Sequence, residues 1–173
     1  MIDLIEKYIG IGESLVTISA IIIGGIWTYN NFIHQRQNKA LIDFTVDVVF
    51  HQFQEGYWIV ELVGIIENKG KVQNKIYNFN FDLASIDHNQ PVNLNPEYGN
   101  QVNFPNIISE GSFLPKRSEY FFNEPGLTNK YSFLAKVPKS ASVIIMHSWF
   151  SYSDGKHSHS AEITKKVPNK PES

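Results

Sequence analysis

Hydrophobic and polar positions along this chain change rhythm once, near residue 40. Before that point the apolar residues run together. Residues 14–33 read SLVTISAIIIGGIWTYNNFI, twenty positions without a charge, preceded by Glu13 and followed by His34, Arg36 and Lys39. A helix of that length rises about 30 Å, the thickness of a bilayer's hydrocarbon core. Between residues 15 and 27 the only polar side chains are Thr17 and Ser19, whose hydroxyls can bond back to the helix's own carbonyls. No polar face opposes the apolar one, so the pattern predicts a transmembrane helix rather than a core helix. Its anchoring residues are Leu15, Ile18, Ile21, Ile22, Ile23 and Ile26, with Trp27 and Tyr29 at the interface. Asn30 and Asn31 suit lipid poorly, so the span is expected over about residues 10–33, with Glu13 reaching towards the headgroups.

After residue 41 the period becomes two. Ile42, Phe44, Val46, Val48 and Phe50 alternate with polar residues, and so do Trp58, Val60, Leu62 and Ile66; each set predicts a half-buried strand. Tyr77, Phe79, Phe81 and Leu83 predict a third, over residues 75–83. Residues 91–106 read as loop with short edge strands. Further strands are expected over 112–122, 130–137, 143–152 and 157–167, the last two joined at Asp154-Gly155, a hairpin signal. No helical period follows residue 42, which excludes a βαβ architecture. Seven or eight strands in about 125 residues predict an antiparallel β-sandwich of Ig or fibronectin III type, with a small β-barrel as the alternative. The chain then divides into an amino-terminal tail and anchor over 1–40, a β domain over 41–168 and a disordered tail over 169–173.

Charge sets the orientation of the anchor. The tail carries Asp3, Glu6 and Glu13 against Lys7, unlike the basic start of a cleaved signal, and no A-x-A site ends the apolar run. Arg36 and Lys39 on the trailing side place the β domain in the cytoplasm by the positive-inside rule. Beyond residue 40 twelve basic residues face fourteen acidic ones, so no basic patch predicts nucleic-acid binding. The chain has no cysteine, which excludes disulfides, thiolate metal sites and Cys nucleophiles.

Candidate chemistry is sparse. His157 and His159 share one face of a strand, the weak candidates for a metal site. With a two-residue turn, Tyr152 faces His157 and His147 faces Glu162, which sends His147 to the opposite face and leaves too few ligands for zinc. No metal or other cofactor is therefore expected. Ser151, Asp154 and the histidines are triad residue types without a nucleophile motif around them, and no phosphate-binding or calcium loop occurs. Trp58, Trp149, Tyr57, Tyr152 and Phe150 could build a sugar-stacking platform if exposed. Ala20 and Gly24 form a small-xxx-small pair that would let anchor helices approach and self-associate.

Gly24-Gly25-Ile26-Trp27, Phe32 and Arg36, leading into a β domain with Glu67-Asn68-Lys69-Gly70, resemble uncharacterised small bacterial proteins with one amino-terminal membrane helix and an Ig-like domain. That resemblance implies a layout and no activity. The expectation is a non-enzymatic, membrane-anchored binding module with a protein partner; the alternative is an extracytoplasmic carbohydrate- or envelope-binding module.

Overall fold

The computed structural model describes residues 2–34, 40–152 and 155–169. Arg36, Lys39, Asp154 and residues 170–173 lie outside the described residues. Helix α1, Ile2–Thr28, is followed by a π-helical turn at Tyr29–His34. Ser19 Oγ donates to the Leu15 carbonyl at 2.8 Å, the local i−4 bond open to a helical hydroxyl. Among the described residues no helix is long and apolar enough to cross a membrane. This corrects the span expected over 10–33. The charge-free part of the α-helix begins at residue 14 and ends at Thr28, a rise of about 22 Å, and Asn30 and Asn31 fall in the π-helical turn instead.

The rest of the chain is mainly β. Its strands are β1 Ile42–Gln54, β2 Tyr57–Asn68, β3 Asn74–Asp87, β4 Leu94–Asn95, β5 Gln101–Val102, β6 Asn106–Ser112, β7 Tyr120–Asn123, β8 Thr128–Pro138, β9 Ala141–Tyr152 and β10 His157–Lys166. One antiparallel sheet has the order β1-β2-β8. A second has the order β10-β9-β3-β6, with β7 also pairing β3, and β4 pairs β5 in a small ribbon. The two main sheets are open, so the barrel alternative is not adopted.

Their inner faces meet in one core. Val48, Val60, Leu62 and Ile66 come from the first sheet, and Ile76, Phe79, Phe81, Leu83, Ile144, Met146 and Phe150 from the second; each is essentially inaccessible. Phe79 sits edge-on to Phe44, Tyr131 and Phe150 at centroid distances of 5.5–5.8 Å, the geometry that ring quadrupoles favour. Gly64 makes room for this ring: a Cβ there would lie 2.6 Å from Phe79 Cζ. The β1–β2 hairpin turns on Glu55 and Gly56 with φ of 51° and 86°, the two positive values of a type I′ turn.

Two strand expectations are corrected. The strand read over 112–122 is two strands, β6 before it and β7 at its end, because Pro115 brings no N–H to a ladder. Phe113 instead donates its N–H to the Phe79 carbonyl at 2.9 Å and drops its ring into the core. In β3, Tyr77 does not share a face with Phe79. Asn78 takes φ of 51°, and the pairing with β9 shifts between Tyr77 and Asn80. The bulge resets the alternation, so Ile76 enters the core and Tyr77 packs beside Tyr120.

Candidate functional site

The sequence-derived site residues fall in three places. The anchoring residues Leu15, Ile18, Ile21, Ile22, Ile23, Ile26, Trp27 and Tyr29 all lie on α1 or its π-helical turn, each with 54–69% of its surface exposed. Ala20 and Gly24 are exposed among them. His157 and His159 lie on β10 with Tyr152 between their rings: His157 is 5.4 Å and His159 5.5 Å from it, and His159 also stacks on Phe150 at 5.7 Å. Both imidazoles thus extend the edge of the core. Among the described residues no cluster of His, Asp and Glu is disposed to hold a metal ion.

The β9–β10 register pairs Tyr152 with His157 and His147 with Glu162, which sends His147 to the outer face. Ser151 lies on that same strand, four residues from His147, about 13 Å along an extended chain and beyond hydrogen-bond reach. The aromatic platform is divided. Trp58 is buried and wedged edge-on between Phe50 and Phe53, while Trp149 lies on the outer face of the other sheet, stacked on His147 at 5.1 Å.

That outer face holds the site that the sequence reading missed. Four strands place Glu162, His147, Asp82 and Glu110 directly across from one another in one row. His147 Nδ1 is 3.7 Å from Asp82 Oδ1. On one side the next row is Ser160, Trp149, Asn80 and Ser112; on the other it is Thr164, Ile145, Ala84 and Ile107. The segment carrying β4 and β5 lies over the apolar end. Beneath it Ile86, Val143, Val102 and Phe104 line an open cavity of about 440 Å³. A second cavity of about 290 Å³ shares Val102 and Phe104 with it and reaches all four residues of the charged row. A third, of about 300 Å³, shares Asp82 and Glu110 with the second and ends at Trp149. The three form one groove, apolar at one end, acidic in the middle and aromatic at the other end. The signal available in the sequence was the polar half of each strand's alternation, but the partners across the sheet are set by register, which one strand alone does not encode.

Charges on the other sheet are mostly paired. Lys69 Nζ lies 2.6 Å from Asp43 Oδ2 and 3.6 Å from Glu67. The hydrogen bond from Lys69 holds the Asp43 carboxyl below its ordinary value and raises the Lys69 ammonium. Lys130 does the same to Glu61 from 3.3 Å, with His51 at 3.4 Å on the other oxygen. Burial pushes the Tyr131 phenol up.

No family model and no curated protein matches the chain. Solved structures match it at low similarity. A protein described as a putative ApaA of Bordetella pertussis is 14% identical, with a TM-score of 0.47, over 75% of this chain and 95% of that one. The sporulation control protein Spo0M of Bacillus subtilis is 11% identical at a TM-score of 0.43, over 75% of this chain and half of its own. A protein from Archaeoglobus fulgidus is 8% identical at 0.34, over 74% and 98%.

Proposed function

We propose that this chain is a non-enzymatic binding module on an Ig/fibronectin III-like sandwich, attached to the cell membrane through α1 and recognising a protein partner with its β domain. The single observation that carries the membrane part is the exposure of the helix. Leu15, Val16, Ile18, Ile21, Ile22, Ile23 and Ile26 each keep more than half of their surface exposed. Fully burying such side chains is worth about 1.5–3 kcal/mol each, so a helix that leaves them all open is one that a hydrocarbon medium stabilises. The sandwich topology is supported by the partition of the strands, with the first two and the eighth in one sheet and the third, sixth, ninth and tenth in the other. A cytoplasmic β domain is supported by Arg36 and Lys39, whose charges suit the anionic cytoplasmic leaflet. The protein-partner part is supported by the groove on the outer face, which is continuous and polar at its centre.

Fractionation of cells producing the full chain tests the reading. The chain is expected in the membrane pellet and to stay there through a high-salt wash. Ile22→Asp with Ile23→Asp is expected to move it to the supernatant. A full chain found in the supernatant overturns the reading. An alkaline-phosphatase fusion after Ser173 is expected to be inactive, and an active one overturns the orientation.

A further inference from the structure

The groove across the second sheet has a chemistry that selects one kind of occupant. Asp82 and Glu110 stand directly opposite each other on β3 and β6, and like charges in that position destabilise a sheet. Among the described residues neither of them, nor Glu162, has a lysine or arginine within ion-pairing distance; the nearest base is His147, 3.7 Å from Asp82. Three carboxylates therefore sit in one row about 14 Å long, counting three strand spacings, uncompensated by any cation of the described residues. Trp149 lies one row away, stacked on His147, and lines the continuation of the same groove. One row in the other direction the lining turns apolar with Ile145, Ala84 and Ile107, and then passes under the β4–β5 segment to Ile86 and Val143.

The rows succeed one another every two residues along the strands, about 6.6 Å per step, so the path from Val143 to Trp149 is about 20 Å. That is the length of six residues of extended chain. A side-chain cation over the charged row is held by the carboxylates, as guanidinium groups are, and lies beside the stacked His147 and Trp149 rings. The apolar floor on the far side suits hydrophobic side chains two and four residues away on the same strand face.

We infer that this groove binds an extended segment of the protein partner, about six residues long, in which one arginine is flanked on one side by apolar residues. The arginine lies over Asp82, Glu110 and Glu162 with Trp149 beside it, and the apolar residues enter under the β4–β5 segment. This rests on the reading of the chain as a binding module and names the chemistry of its partner.

The test uses the full chain in detergent micelles and three labelled heptapeptides, Ser-Val-Ser-Leu-Ser-Arg-Ser and the same peptide with Glu or norleucine in place of the arginine, followed by fluorescence anisotropy. The arginine peptide is expected to bind at least tenfold more tightly than the norleucine peptide, and the glutamate peptide not at all. Asp82→Asn with Glu110→Gln is expected to remove that tenfold preference, as is raising the salt to 1 M. Trp149→Ala is expected to weaken the arginine peptide several-fold. Glu110→Lys is expected to turn the preference towards the glutamate peptide, a gain that a merely unfolded variant cannot show. Asp43→Asn, on the other sheet, is expected to change nothing. Equal binding of the three peptides, no binding of the arginine peptide, or binding indifferent to the Asp82 and Glu110 substitutions overturns the inference. Spermidine competing as well as the peptide does so too, since it assigns the site to small polyamines. The module reading fails separately: a protein partner crosslinked at positions away from the groove refutes the groove and leaves the module standing, whereas a chain that leaves the membrane pellet refutes the membrane part of the module and leaves the groove.

Discussion

Single residues carry more of this fold than their composition suggests. Asn68 is fully buried at the end of β2, yet all its polar atoms are engaged. Its Nδ2 donates to the carbonyls of Val72 and Asn123 at 2.8 and 2.9 Å, and its Oδ1 accepts from the Gly70 N–H at 3.0 Å. Its main chain also bonds the Leu127 carbonyl and the Gly126 N–H. One side chain thus ties the β2–β3 turn to the β7–β8 connection. Asn68→Ala takes a donor from the buried Asn123 contact and an acceptor from the Gly70 N–H, while the Val72 carbonyl keeps Asn74 Nδ2 at 3.0 Å, and is expected to cost about 1–3 kcal/mol in urea unfolding. Asn68→Asp, which sets an oxygen against two carbonyls, is expected to cost more. The carboxyls of Asp43 and Glu61 act through pH. Both are held below their ordinary values of 3.8 and 4.5 by lysine. A depressed carboxyl contributes stability that is complete above its unfolded pKa and is lost as pH falls through the folded one. The Tm is therefore expected to fall between about pH 5 and 3. Combining Asp43→Asn with Glu61→Gln should flatten that fall; an unchanged slope would assign the acid sensitivity elsewhere.

At the level of elements, regular alternation was legible and its interruptions were not. Residues 42–50 and the set from Trp58 to Ile66 read correctly because one face of each strand meets the core along its whole length. The β9–β10 register followed from a single turn, since a hairpin of fixed loop length admits one pairing. Tyr77 was misassigned because nothing in its own apolar character marks the bulge at Asn78; the mark is the asparagine, a residue that tolerates a positive φ. Asn78→Gly is expected to be neutral within about 0.5 kcal/mol, and Asn78→Val to cost about 1–2 kcal/mol from the strained backbone alone. The groove escaped because it joins four strands far apart in sequence. Charge across elements obeys the same rule. Lys165 and Lys166 are adjacent and look alike in sequence, yet only Lys165 is seen to reach across to β1, bonding the Val48 carbonyl at 2.7 Å and Asp47 at 2.5 Å. Lys165→Met is expected to cost about 1 kcal/mol and Lys166→Met close to nothing, a difference that paired chemical-denaturation curves resolve.

For the whole molecule the deciding question is what covers α1, and the angular distribution of its apolar residues makes that question answerable. A partner helix, a groove or the membrane surface covers one stripe of a helix; a hydrocarbon surround covers every side. At 100° per residue, Ile21, Ile18, Ile22, Ile26 and Ile23 follow one another around an arc of about 200°, and all five are more than half exposed. An aspartate near the middle of a lipid-embedded helix costs about 2.5–3.5 kcal/mol wherever it points. Single Asp substitutions at positions 18, 21, 22, 23 and 26 of the full chain, scored by flotation with liposomes, are therefore expected to weaken membrane association to similar extents. A protein cover predicts a different result: substitutions on one stripe abolish attachment, while those on the opposite side leave it intact. Ile21→Asp against Ile23→Asp is the sharpest comparison. Equal losses assign the cover to a hydrocarbon surround, and a loss at one with none at the other assigns it to a one-sided cover, with flotation of the wild-type chain on protein-free liposomes separating a membrane surface from a protein.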